Sequence, residues 1–248
     1  MSHPIFNGRF QMTDEKGISE ASKPVTELPL SVTRENLLDG TLLARARAAA
    51  AAVPLLSDRQ LETSLDETLA QHDPEAEVWL FGYGSLMWNP IISYDKELTG
   101  LVEGWHRHFC LWSRIIRGTA DFPGLALALD RGGSCHGKLF RIPADRVRSE
   151  LQLIWRREMP GGTYIPLWVD AETVEGPIRA VTFVVDQSHA GYTGILEEAE
   201  VIDRLTKATG VLGSCADYLE ETVTMLESLG VSDPAIEALW RRVKSARA

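Results

Sequence analysis

The stretch VWLFGYGSLMW, residues 78–88, decides the fold of the main domain, because a buried strand here runs directly into a glycine turn. The apolar run at 78–81 predicts a short buried strand. Gly82 and Gly84 bracket Tyr83, and glycine permits positive φ and a close backbone approach to a ligand. Successive N–H groups in such a turn can form a concave anion site, for which a carboxylate is a suitable ligand. The alternative is a strand-to-loop turn of purely structural use.

Three well-known motifs do not fit this turn. The dinucleotide fingerprint G-x-G-x-x-G requires glycine where Met87 stands. A P-loop requires G-K-[ST] after its glycines, and no such sequence follows. A nucleophile elbow centred on Ser85 requires glycine at the positions of Tyr83 and Met87. The turn therefore indicates neither a nucleotide site nor a serine nucleophile.

The chain on both sides of the turn predicts an α+β fold. After the turn, strands are predicted at 98–102, 107–113, 125–129, 135–142, 164–169 and 178–185. Helices are predicted at 33–52, before Pro54, at 57–71 with Ser57 as N-cap, and at 144–156, 195–209, 215–229 and 234–245. Strands with clustered helices indicate a mixed sheet that curls into a small barrel.

Composition divides the chain into three parts. Residues 1–30 are mostly polar and are predicted to form a flexible arm, with an extended strap on the domain as the alternative. Residues 31–75 are predicted to form a helical lead-in that packs on the main domain. The main domain is assigned to 76–248.

Charge and cysteine content restrict the function classes. The 248 residues carry a formal net charge of -10, which argues against nucleic acid or an anionic membrane as partner. No run of 18 apolar residues occurs, so no membrane span is predicted. The three cysteines, Cys110, Cys135 and Cys215, are widely spaced, which argues against a disulfide framework or a zinc site. Free cysteines are typical of a reducing compartment. With no signal-peptide pattern, the expected location is cytoplasmic.

A carboxylate at the end of a predicted helix is the second chemical feature. Glu158 stands in WRREMPGGTY, residues 155–164, where the amphipathic helix should end before a Pro-Gly-Gly turn. Catalytic groups are often held at such a junction of rigid elements. Apolar neighbours such as Met159 would raise the pKa of Glu158, which suits a general base that later acts as an acid. The alternative is a surface carboxylate that pairs with Arg156 or Arg157.

Together these segments resemble a known family. VWLFGYGSLMWNP, residues 78–90, resembles the signature of the ChaC family of glutathione-specific γ-glutamylcyclotransferases, and WRREMPGGTY resembles the segment around that family's catalytic glutamate. Further similarity lies, in the family's order, at GWHRHFCLW (104–112), GKLFRIP (137–143) and GVLGSCADYL (210–219). Thr163, between Gly162 and Tyr164, departs from the family pattern.

The resemblance implies a γ-glutamylcyclotransferase-like mixed β-barrel with flanking helices as the catalytic domain at 76–248. The family's functional residues fall on Glu158 as general base and acid, on Tyr83, Gly84, Ser85 and Leu86 as the loop that holds the γ-glutamyl group, and on Tyr218 as a further substrate contact. The α-amine of glutathione would attack its own γ-carbonyl and release 5-oxoproline and cysteinylglycine. This chemistry requires neither a metal nor a cofactor.

Several alternatives stay open from the sequence alone. The substrate could be another γ-glutamyl amine or amino acid, or the protein could bind γ-glutamyl groups without catalysis. His106 and His108 share one face of a predicted strand, but no third metal ligand is evident. Arg114 and Arg117 could contact a carboxylate of glutathione or be solvated surface residues. The sequence does not predict the oligomeric state.

Overall fold

The computed structural model describes residues 32–49 and 55–247, so the arm predicted at 1–30 lies outside the described residues. Five strands form a closed barrel in the order β1-β3-β2-β4-β5. They are β1 Val78–Gly82, β2 Lys96–Ser113, β3 Gly124–Ile142, β4 Tyr164–Thr173 and β5 Gly176–Val185. Consecutive neighbours in this order pair antiparallel, and β5 closes the barrel in parallel against β1. The predicted α+β class with a mixed barrel is confirmed.

Seven α-helices flank the barrel within the described part of the chain. They are α1 Arg34–Leu38, α2 Thr41–Ala49, α3 Asp58–Leu69, α4 Val147–Glu158, α5 Glu198–Lys207, α6 Cys215–Ser228 and α7 Pro234–Arg247. Short 3₁₀ turns at Ser85–Met87 and Ala144–Arg146 and a two-residue pair of β6 Thr209–Gly210 with β7 Gly213–Ser214 complete the elements. None of these helices is long and apolar enough to cross a bilayer.

Two pairs of predicted strands are each one long strand. The predictions at 98–102 and 107–113 merge into β2, and those at 125–129 and 135–142 merge into β3. The register of β2 against β3 shifts at Gly104, whose φ is +81°, and Gly132 and Gly133 of β3 also have positive φ. Bulges and glycines of this kind interrupt the two-residue alternation of side chains, so one bent strand resembles two short ones in the sequence.

The predicted helix at 33–52 is wrong as a single element. It is divided into α1 and α2 because Gly40, with φ +76°, turns the chain, and the Asp39 carboxylate accepts the N–H of Thr41. By contrast, the predicted N-cap of α3 is confirmed. Ser57 accepts the N–H of Gln60, and the Gln60 side chain accepts the N–H of Ser57 in a capping box.

Two hydrophobic cores lie on different sides of the barrel. In the first, α4 and α3 pack against β1 and β5, and Trp155 meets Phe183 edge to face with ring centroids 5.1 Å apart. In the second, α5, α6 and α7 pack around Leu125 and neighbouring apolar residues of β2 and β3. Leu86 belongs to the first core and Met87 to the second. The turn after β1 is therefore held between two helical layers.

A bidentate ion pair joins α1 to α4. The Arg34 guanidinium donates to both carboxylate oxygens of Glu150 at 2.5 and 2.8 Å, and the N–H of Ser93 donates to the same carboxylate at 3.0 Å. The Glu150 side chain is only 4% exposed, whereas Arg34 is 40% exposed. Burial raises the pKa of Glu150, but these hydrogen bonds outweigh burial and hold the pKa below its usual value.

We expect Arg34→Met to lower the free energy of unfolding at neutral pH by about 1–3 kcal/mol, because a buried carboxylate loses its charged partner. Since the folded-state pKa of Glu150 is lowered, this contribution exists above the unfolded pKa and is lost as pH falls through the folded value. Urea titrations at neutral and acidic pH measure both effects. The control is Arg148→Met, since Arg148 lies on α4 like Glu150 and forms an exposed ion pair with Asp66. This variant should lower the free energy of unfolding by less than about 1 kcal/mol. Equal losses of unfolding free energy in the two variants would contradict a special stabilising role for the Arg34–Glu150 ion pair.

Candidate active site

The glycines of the turn are required by close packing. A Cβ atom on Gly84 would stand 2.7 Å from the Tyr218 hydroxyl oxygen, and one on Gly82 would stand 2.9 Å from Cβ of Leu86. Gly84 has φ −128° and ψ −131°, so the expectation of positive φ is not met there. The turn therefore brings its backbone against α6, at a distance that only glycine allows.

The six site residues predicted from the sequence line one cavity. Its empty volume, including the open mouth, is about 280 Å³. The predicted residues that line it are Tyr83, Gly84, Ser85, Leu86, Glu158 and Tyr218, and the structure adds Leu127, Tyr164 and Phe183. The turn forms one wall, the end of α4 a second and α6 a third. Glu158 and the residues of the glycine turn thus line the same space.

Glu158 is the last residue of α4 and is mostly buried, with 17% of its side chain exposed. Nε of Arg157 lies 2.8 Å from Glu158 Oε1, so the Arg157 guanidinium is the charged partner of this carboxylate. Burial raises the pKa of Glu158, and the Arg157 charge partly opposes that rise. The site therefore holds a buried carboxylate whose proton affinity is increased and whose charge is balanced by Arg157.

Arg157 is a site residue that the sequence offered only as a surface partner. Its side chain is 7% exposed. It donates to Ser85 Oγ at 2.7 Å and also to the carbonyl of Asn89. The guanidinium therefore links the end of α4 to the turn after β1. Adjacent helical residues do not normally face each other, so the spacing in the sequence gave no signal for this arrangement.

Three tyrosine hydroxyls surround the cavity. Tyr83 donates to the carbonyl of Phe183 and Tyr164 to the carbonyl of Leu127, both at 2.9 Å. Burial raises the pKa of Tyr83 and Tyr164, and burial together with the Glu158 charge raises the pKa of Tyr218 to about 12. All three hydroxyls are protonated at neutral pH, so Tyr218 can serve as a hydrogen-bond donor.

The two arginines of the loop after β2 have different environments. Arg117 is 13% exposed, lies 4.9 Å from the centroid of the Tyr218 ring and donates to the carbonyl of Leu212 at 2.7 Å. Arg114 is exposed. Arg117 thus stacks on a residue of the cavity wall without lining the cavity, and Arg114 lies at the surface.

His108, Cys110 and Asp130 place metal-ligand atoms within 4.8 Å of one another. The Asp130 carboxylate already accepts hydrogen bonds from Gln187 at 2.6 Å and Tyr192 at 2.9 Å, and lies 3.2 Å from Nδ1 of His108. Burial raises the pKa of the Cys110 thiol to about 12. The group is a hydrogen-bonded network that joins the segment after β5 to the barrel.

A family model described as ChaC-like protein matches residues 78–246. The chain belongs to the ChaC-like family. This ChaC-like protein is 39% identical over 191 residues to the glutathione-specific γ-glutamylcyclotransferase of Escherichia coli (strain K12), a match that covers 77% of this chain and 83% of the relative. It is 27% identical over 202 residues to glutathione-specific γ-glutamylcyclotransferase 1 of Mus musculus, with 79% and 90% covered.

The fold of the ChaC-like protein also occurs in a solved structure. The crystal structure of a γ-glutamyl cyclotransferase specific to glutathione from yeast matches with a TM-score of 0.65 at 17% identity, covering 69% of this chain and 97% of that one. At this identity the match concerns the fold alone. The γ-glutamylcyclotransferase-like barrel predicted from the sequence is thereby confirmed.

We expect Glu158→Gln to change stability in a pH-dependent way. Because the folded-state pKa of Glu158 is raised, ionisation of this carboxyl destabilises the folded protein as pH rises from the unfolded pKa through the folded value. The free energy of unfolding of the variant relative to wild type should therefore increase over that window. Urea titrations from about pH 4 to about pH 8 cover it. Glu103→Gln, at an exposed position of β2, is the control for the loss of one carboxyl group. A difference for Glu158→Gln that does not vary with pH would contradict the raised pKa of Glu158.

Proposed function

We propose that this protein is a glutathione-specific γ-glutamylcyclotransferase that converts glutathione to 5-oxoproline and cysteinylglycine. The observation that carries the proposal is that Glu158, a buried carboxylate with a raised pKa, shares one cavity with the glycine turn at 83–86. Membership of the ChaC-like family and the names of the relatives support the same substrate.

In the proposed reaction the substrate supplies its own nucleophile. The α-amine of the γ-glutamyl group attacks the γ-carbonyl carbon, a C–N bond closes a five-membered ring, and the C–N bond to cysteine breaks. Orientation of amine and carbonyl can contribute about 7–11 kcal/mol to such a step. Folding the substrate against the cavity walls is therefore the main task of the protein.

We assign Glu158 as the proton carrier. It takes one proton from the α-ammonium and gives it to the leaving nitrogen of cysteine, then takes a second proton from the ring nitrogen and passes it to the released amine. The amine leaves as an ammonium, so the net reaction consumes no proton. General acid–base catalysis is most effective when the pKa lies near the working pH, and burial moves the pKa of Glu158 in that direction.

We assign the turn as the site of the γ-glutamyl group. Across the described residues, no backbone carbonyl accepts a bond from the N–H groups of Gly84 or Leu86, whereas the Ser85 N–H interacts with the Tyr218 hydroxyl. Such groups are suitable donors to a substrate carboxylate or to the oxyanion that develops on the γ-carbonyl. Tyr83 forms the wall beneath them, and the protonated hydroxyl of Tyr218 is a further donor.

The division of the chain follows from the same proposal. Residues 76–248 would form the catalytic domain, and residues 31–75 would stabilise it by packing on α4. Leu37 of α1 contacts Leu153 of α4, and Nε1 of Trp155 donates to Ser64 of α3 at 3.2 Å. We place the enzyme in the cytoplasm, since its three cysteines are buried free thiols and a reducing compartment preserves them.

The direct test is mass spectrometry of glutathione after incubation with wild-type and Glu158→Gln protein. Wild type should yield 5-oxoproline and cysteinylglycine, and the variant should lose about 10²–10⁴-fold in turnover, since a positioned acid–base group contributes that much. Glu103→Gln should keep wild-type turnover. Release of free glutamate would indicate hydrolysis and contradict the proposed reaction. Wild-type turnover in Glu158→Gln would remove Glu158 from its assigned role.

A second prediction concerns Arg157. Its charge holds the pKa of Glu158 below the value that burial alone would give, so Arg157→Met should raise that pKa further. The acidic limb of the profile of log(kcat/KM) against pH should move to higher pH, because the base must be ionised to accept a proton. Arg156→Met, at the exposed neighbouring position, is the matched control and should leave the limb in place. A shift to lower pH, or none, would contradict the electrostatic role.

A further inference from the structure

A buried arginine outside the cavity contacts the turn from behind. Arg107 lies in the middle of β2, and its side chain is 1% exposed. Its Nε donates to the carbonyl of Tyr83 at 2.6 Å, its Nη1 to Asp233 at 2.9 Å, and its Nη2 to the carbonyl of His136. Arg107 is not among the residues that line the cavity. One guanidinium therefore joins the glycine turn, β3 and the segment before α7.

The bond to Tyr83 fixes the orientation of a peptide group at the cavity. In a trans peptide the C=O of one residue and the N–H of the next point in opposite directions. The Tyr83 carbonyl points to Arg107, so the N–H of Gly84 points away from Arg107. Gly84 lines the cavity, and its N–H donates to no backbone carbonyl in the described ranges. The guanidinium thus holds this N–H ready for a ligand.

The Asp233 carboxylate is the charged partner of the buried Arg107 guanidinium. An unpaired buried guanidinium would strongly destabilise the fold, and Asp233, with 19% of its side chain exposed, provides the opposite charge. The same residue caps α7, because its carboxylate accepts the N–H of Ile236 at 3.3 Å and its carbonyl accepts the N–H of Glu237 at 2.9 Å. The last helix is thereby coupled to the turn through a single ion pair.

We propose that Arg107, paired with Asp233, is a positioning residue for the γ-glutamyl subsite: it fixes the Tyr83–Gly84 peptide so that the Gly84 N–H faces the substrate. The proposal rests on the proposed function and adds to it a residue that does not touch the substrate.

The test uses Arg107→Lys, which keeps the positive charge but loses the planar set of hydrogen-bond donors. The control is Arg141→Lys on β3, which alters an exposed bidentate ion pair with Asp95. With the folded fraction measured by urea titration, kcat/KM for glutathione per folded molecule should fall about 10- to 100-fold in Arg107→Lys, mainly through KM. The pH of the acidic limb should stay at its wild-type value, because Glu158 is untouched. Arg141→Lys should match wild type.

Asp233→Asn keeps the test decisive if Arg107→Lys does not fold. The asparagine amide oxygen can still accept the hydrogen bond from Nη1 of Arg107, so the variant loses the opposite charge and some stability but keeps this contact. KM of the folded protein should rise in the same direction by a smaller factor. Fully folded variants of both residues with wild-type KM would overturn the proposal. A shifted acidic limb would also overturn it, since the effect would then act through Glu158.

Hydrogen exchange separates this inference from the proposed function. Amide exchange of the segment at 83–88, measured by mass spectrometry without substrate, should accelerate in Arg107→Lys and stay unchanged in Arg141→Lys. If wild type yields no 5-oxoproline, the proposed function fails, and this measurement still decides whether Arg107 orders the turn. Unchanged exchange at 83–88 in folded Arg107→Lys would overturn the positioning role.

Discussion

The site depends on a buried carboxylate that stands beside a buried guanidinium. Removing Glu158 from water raises its pKa, and Arg157 limits that rise. The arrangement is held by α4, whose Trp155 and Ile154 lie in the core between helix and barrel. Because α4 ends at Glu158, the carboxylate is fixed by a rigid helix on one side and by a tight turn on the other. Such a group destabilises the folded state when ionised, and the packing of α4 must offset that cost.

The second requirement is a turn that does not move. Neighbouring residues of the turn enter different cores, Leu86 with α3 and α4 and Met87 with α6 and α7. Gly84 brings the backbone against Tyr218, and Arg107 holds the Tyr83 carbonyl from the opposite side. Backbone amides are effective donors only when they are already oriented before the ligand arrives. The helical layers and the Arg107–Asp233 ion pair thus both fix the backbone amides of the turn before a ligand arrives.

The local elements could be predicted from the sequence, because their causes lie within a few residues. The Ser57 cap, the strand before Gly82 and the end of α4 at Glu158 all follow from short-range patterns. The continuity of β2 could not be predicted, since the bulge near Gly104 removes the alternation on which the prediction relies. Arg107 was also missed, because its partners lie 24, 29 and 126 residues away and only the barrel brings them together. The residue assignments of the cavity were predictable only through the family resemblance, and their roles remain predictions.

The arginines near the cavity matter because the chain as a whole is acidic. The formal net charge is -10, so the overall field does not attract glutathione. The cavity is nevertheless surrounded by three largely buried arginines, with Arg107 behind the turn, Arg157 beside the base and Arg117 on the Tyr218 ring. Arg107 and Arg157 are paired with Asp233 and Glu158, so they orient hydrogen-bond donors and balance the base without adding net positive charge. Burial raises the pKa of Glu158, and Arg157 opposes that rise. The activity we propose requires both influences at once, and the fold provides them by ending one helix with an arginine and a glutamate in sequence.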